Sequence, residues 1–207
     1  MTSPICPACY GDTSELPIEG LKYYTCGRCK HIFSELHKKK AQKIVKRSIF
    51  RSIDNHTGLF DPFTHFNGST DVINRLLYGL NKDGGIMVSN FNHEVNNFTS
   101  KQCVINAEDD IFKAILNSHK EKAQGHFLSF CFMPFFDNIN EFLTVCYNGK
   151  GKDGQLIVLT NIDESFLKNN IGQVHHFTSE SLHYILSSQQ KDYRVFTVNG
   201  ILGFKIY

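Results

Sequence analysis

Apolar residues recur along this chain in two rhythms. Short continuous runs at 86–89, 103–105, 127–132, 155–160, 193–198 and 202–207 have the length of strands buried on both faces. Between them, 71–80, 108–118 and 139–147 carry apolar residues three and four apart, the spacing of one helix face. A further helix is announced by Thr178-Ser179-Glu180-Ser181, with a hydroxyl at the cap and an acid in the first turn, followed by Leu182, Ile185 and Leu186 on one side. Continuous apolar strands separated by helices predict an α/β fold with a mostly parallel sheet covered on both faces. Asn199-Gly200 between the last two runs predicts a hairpin, hence one antiparallel edge.

The N-terminal region follows a different rule. Cys6-Pro7-Ala8-Cys9 and Cys26-Gly27-Arg28-Cys29 are two Cys-x-x-Cys pairs with sixteen residues between them, the spacing of a four-cysteine zinc site. The two-residue gap lets both thiolates of a pair face one point, and Gly27 is expected to relieve the second turn. Segments 21–25 and 31–33 read as strands delivering Cys26 and leaving Cys29. A ribbon this small buries little apolar surface, so metal–sulfur bonds are expected to supply its folding energy. Four thiolates leave no position for a water, which makes the expected zinc structural. His31 and His37 then have no vacancy to fill and are expected to be exposed. Cys103, Cys131 and Cys146 lie in apolar stretches and read as buried small hydrophobes.

Composition narrows the picture. With 207 residues, 41% hydrophobic and 20% charged, the chain is too apolar for a disordered protein. No apolar run reaches membrane-spanning length and no signal peptide is visible, so the expectation is a cytoplasmic or otherwise intracellular protein, not secreted, with reduced thiols and no membrane partner. The small net charge conceals an asymmetry: residues 1–51 hold ten Lys/Arg against four Asp/Glu, and the remainder twelve against sixteen. Lys38, Lys39, Lys40, Lys43, Lys46, Arg47 and Arg51 occur without an intervening acid, on a stretch of helical composition. They offer a polyanion such as nucleic acid a contact, the competing reading being a solvated connecting helix. No phosphate-binding Gly-rich loop, nucleophile elbow or His-Glu-x-x-His motif is present.

The double cysteine pair is followed by Phe60-Asp61-Pro62-Phe63-Thr64-His65-Phe66, then by the alternating strands and helices. Near the end come Lys152-Asp153-Gly154 before a strand and His175-His176-Phe177-Thr178-Ser179-Glu180-Ser181-Leu182. Together these resemble the zinc-headed sugar C-methyltransferases, a class I S-adenosylmethionine-dependent family. The resemblance implies a zinc ribbon over 1–36, a basic helix and linker over 37–69, and a Rossmann-like methyltransferase domain over 70–207. It places the cofactor near Ser89, Asn90 and Asn92, with Glu108 nearest to where a ribose-binding acid belongs. His175 or His176 is then the general base, on the carboxyl-end side of the sheet where ligands bind. The chain departs from the family at the cofactor turn: Ser89-Asn90-Phe91-Asn92-His93 contains no glycine to let the backbone approach the cofactor. The expectation is therefore a methyltransferase fold with a degenerate cofactor site, acting as a structural or docking component of a protein assembly. An active methyltransferase on a small acceptor such as a nucleotide-linked sugar, and a zinc-ribbon nucleic-acid-binding protein, are the alternatives.

Overall fold

The computed structural model describes residues 3–17, 22–34, 84–89, 98–102, 111–120, 122–130, 133–136, 138–162, 174–198 and 200–207. The expected helix at 71–80, the strand at 103–105, Cys103 and Cys131 lie outside them.

Two sheets organise these residues. The smaller is antiparallel, in the order β1 (Thr13–Leu16), β2 (Tyr23–Cys26), β3 (Ile32–Ser34) and β8 (His175–His176). The larger has six strands in the order β5 (Phe98–Gln102), β4 (Gly85–Ser89), β6 (His126–Phe130), β7 (Leu156–Ile162), β10 (Ile201–Ile206) and β9 (Tyr193–Val198). The first four of these run parallel, and β10 is antiparallel to both of its neighbours. The expected hairpin is present, with Gly200 at φ 79° in its turn.

The runs of β6 and β7 became strands because both of their faces are buried. In β7, Leu156, Ile157, Val158 and Leu159 are all fully buried, as are Phe127 and Leu128 in β6. Phe127, Leu156, Val158 and Phe204 share one core with helices α2 (Ile139–Gly149) and α3 (Ser179–Ser187). Helix α2 commits Ile139, Phe142, Leu143 and Cys146 to it, at helical spacing. Truncating Phe142, fully buried at its centre, would cost about 3–5 kcal/mol. Helix α1 (Ile111–His119) ends in His119, buried between Ser118 and Ser129 with Nε2 2.9 Å from the Ser129 hydroxyl.

The turn between α2 and β7 is fixed by close backbone approach. A Cβ on Gly151 would lie 2.0 Å from the Gln124 carbonyl oxygen, and one on Gly154 2.0 Å from that of Gly125. Gly151 N–H donates to Gly125 (2.7 Å), and Phe127 N–H to Gln155 (2.9 Å), so the amino ends of β6 and β7 form one hydrogen-bonded rim.

The ribbon is joined to the larger sheet. Ser34 N–H donates to the Val174 carbonyl, and Val174 N–H to that of Pro134, in the 3₁₀ turn Met133–Phe135 that follows β6. Cys6, Cys9, Cys26, Cys29, Tyr24 and Phe33 belong to the same apolar core as the α2 and α3 residues.

Candidate metal centre

Each cysteine pair is built by the same backbone device. Cys6 N–H donates to Gly11 carbonyl (3.1 Å) and Cys6 carbonyl accepts from Tyr10 N–H (2.9 Å). Cys26 N–H donates to His31 carbonyl (2.9 Å) and Cys26 carbonyl accepts from Lys30 N–H (3.1 Å). Tyr10 and Lys30, four residues after the first cysteine of each pair, both take φ 57°. The left-handed residue that closes each knuckle is thus a tyrosine and a lysine. Gly27, expected to relieve the second turn, has no positive φ and ample room, the nearest atom to a Cβ there being the Asp12 carbonyl at 3.9 Å. Gly11 is the constrained glycine, since its Cβ would sit 3.3 Å from both Cys9 and Cys26 Sγ.

The four sulfurs converge. Cys6 and Cys29 Sγ are 3.6 Å apart, Cys9 and Cys26 Sγ 3.4 Å, and all four lie within 4.8 Å of one another. Bonds of about 2.3 Å to a tetrahedral zinc put sulfurs about 3.8 Å apart, whereas a disulfide needs about 2.05 Å. The spacing fits a metal and no disulfide, and all four cysteines are buried and unbridged. The cluster can hold a metal such as zinc, with Cys6, Cys9, Cys26 and Cys29 as the ligands. Burial pushes the Cys6 thiol up to about 11 and Cys29 well above the usual thiol range. Burial also acts upward on Cys26, but the Cys29 and Arg28 backbone N–H groups and the neighbouring thiols outweigh it and bring Cys26 down to about 7. A cation replacing those protons meets one thiol already poised to ionise.

His31 corrects the expectation of an exposed side chain: it is 0% exposed, with Nε2 3.1 Å from His175 Nδ1. It stacks on His175 and Phe33 and lies against Phe177. Burial, then the neighbouring His175 and His176, holds its pKa well below the usual value, so it is neutral. His175 and His176, the expected general bases, are strand β8, opposite Phe33 and Ile32 of the ribbon, and each is only 3% exposed. Immediately after them, Thr178 caps α3: its hydroxyl accepts from Ser181 N–H (3.1 Å) and donates to the Cys29 carbonyl (2.7 Å). One side chain starts the helix and clamps the second knuckle.

Of the expected cofactor residues, Ser89 ends β4, while Asn90, Asn92 and Glu108 lie outside the described residues, as do His37 and the basic run Lys38, Lys39, Lys40, Lys43, Lys46, Arg47 and Arg51. Tyr10, Arg28 and Tyr184, which no sequence motif marks, gather beside the first knuckle. The only signal for Tyr10 was its place four residues after Cys6. No family model matches the chain, and no curated protein matches it. No helix among the described residues is long and apolar enough to cross a membrane.

Proposed function

We propose that this protein is a zinc-ribbon-headed, methyltransferase-like scaffold whose S-adenosylmethionine site has degenerated and which serves as a docking component of a protein assembly. The observation that carries this reading is the fate of the histidine loop. On the carboxyl-end side of the sheet, where a base would face its substrate, His175 and His176 are spent on a fourth ribbon strand and buried. A general base must reach the proton it removes, and the His175 imidazole is packed against His31 and Phe177 instead.

The sheet supports the methyltransferase part of the reading. Strand order reverses at β4, with β5 on one side and β6 on the other, which is where open α/β sheets bind ligands. The C-terminal hairpin closes the far edge with its last strand inserted antiparallel between β7 and β9. At the switch point the sequence offers Asn90-Phe91-Asn92-His93 and no glycine. The zinc is structural in this reading, because four sulfurs complete its coordination.

Calorimetric titration of the zinc-loaded chain with S-adenosylmethionine tests the proposal. No binding up to millimolar cofactor is expected. Binding at micromolar strength would replace the scaffold with an active methyltransferase.

A further inference from the structure

A half-open cleft of about 460 Å³ lies between the first knuckle and the helical layer, walled by Tyr10, Arg28, the α2 cap Asn138 with Ile139 after it, and the α3 residues Tyr184 and Ile185. Its volume falls in the range of ligand-binding clefts. We propose that it receives a short acidic peptide segment of a partner protein, with one carboxylate clasped by Arg28 and the adjoining apolar side chain packed against Tyr10 and Tyr184. This rests on the docking reading above and names the surface and the partner's chemistry.

Arg28 is oriented for the task. Its Nε donates to the Tyr184 hydroxyl (2.9 Å) while the guanidinium carbon lies 4.8 Å from the ring centroid. That hold leaves both Nη groups able to meet a carboxylate end-on. Among the described residues no acid pairs with it, the ion pair there joining Lys22 to Glu15. The aromatic walls reach solvent. Tyr10 is 80% exposed while held at φ 57°, a conformation that strains a bulky residue, and Ile5, preceding Cys6 in the chain, is 66% exposed. With Tyr184 they make three of the four exposed large hydrophobics among the described residues, and tyrosine and arginine are the residues that anchor protein interfaces.

A nucleic-acid strand fits this cleft poorly. Arg28 is the one cation among the described residues that wall it. Binding a strand relies on several neutralised phosphates, whereas a peptide carboxylate needs one partner.

Panning a random twelve-residue peptide display library against the zinc-loaded full chain tests the proposal. Enriched peptides should carry Asp or Glu next to an aromatic or aliphatic residue. Arg28→Gln should weaken a selected peptide about fivefold, the upper end for a solvent-exposed ion pair, and Tyr10→Ser should weaken it too. Far-ultraviolet circular dichroism and zinc content should match the unsubstituted chain for both variants. Enrichment without acidic residues, indifference to Arg28→Gln, or displacement of the peptide by single-stranded DNA would overturn it. Failure here with no S-adenosylmethionine binding would remove the cleft and leave the scaffold, whereas cofactor binding would remove the scaffold whatever the peptides do.

Discussion

The two knuckles share a backbone and differ in everything attached to it. Both use a donor and an acceptor on the first cysteine and a left-handed residue four positions on. The first leaves Tyr10 exposed in the wall of the cleft. The second is tied to α3 although Gly27, Arg28 and Lys30 are exposed: Cys29 carbonyl is held by Thr178, Arg28 by Tyr184, and the residue after Lys30 is the buried His31. Identical local geometry therefore says nothing about task. Four converging thiols need the turn twice, and tertiary contacts decide which copy becomes an anchor and which remains a surface.

The largest effect that can probe this comparison is ligand removal. Structural zinc supplies about 10–16 kcal/mol of apparent binding energy in small ribbons, so Cys6→Ser or Cys29→Ser should each bring bound zinc well below one per chain by metal analysis. The asymmetry should appear in amide exchange of the metal-free protein. Loss of protection should extend beyond 3–34 to 174–178, because β8 and the α3 cap are built on the second knuckle. Protection lost in the ribbon alone would show that the second knuckle anchors nothing.

Acidification should come next. In the metal-free fold, Cys6 and Cys29 keep their protons at neutral pH, and Cys26 titrates near 7. Zinc must displace the first two and, below about pH 7, the Cys26 proton as well, so its affinity rises with pH and falls on acidification, by at least about a hundredfold per pH unit. Competition with a chromophoric chelator between pH 6 and 8 measures the slope, and a flat profile would show that these thiols are already ionised.

Thr178→Val should cost about 1–2 kcal/mol in urea unfolding, since it removes a helix cap and the bond to Cys29 together. Ser179→Ala, one residue away and exposed, serves as the control and should change little. The smallest effect concerns the shared turn itself. Tyr10→Gly and Lys30→Gly should each raise stability by about 1 kcal/mol or less, as relief of the left-handed strain exceeds the entropy glycine adds to the unfolded chain. Unequal responses would show that the two turns are not equivalent.

What was legible in the sequence follows the same division. The cysteine ligands, the strands β6 and β7 and the C-terminal hairpin were readable because metal spacing, continuous apolar runs and an Asn-Gly turn are local signals. The start of α3 was readable from its hydroxyl cap, although the residue completing the box is Ser181 where a glutamate or glutamine is usual. Strand β5, Phe-Thr-Ser-Lys-Gln, carries no apolar run, and β1 is half-exposed and polar. Strand β8 is two histidines whose pairing is dictated by a ribbon far away in sequence. His31 failed for the same reason: its polarity argued for solvent, and its neighbours in space overruled it.

The ribbon's fourth strand also bears on how the chain matures. His31 and His175 meet across 144 residues, so a ribosome finishes β1, β2 and β3 long before β8 exists. Throughout that interval β3 is an unprotected edge, open to pairing with the wrong strand, and the His31 face has no cover. Early metal capture by the two cysteine pairs would tie the first three strands together during synthesis, but their outer edge waits for nearly the last part of the chain. Any truncation before residue 175 would release a metal-loaded ribbon with a strand edge seeking a partner.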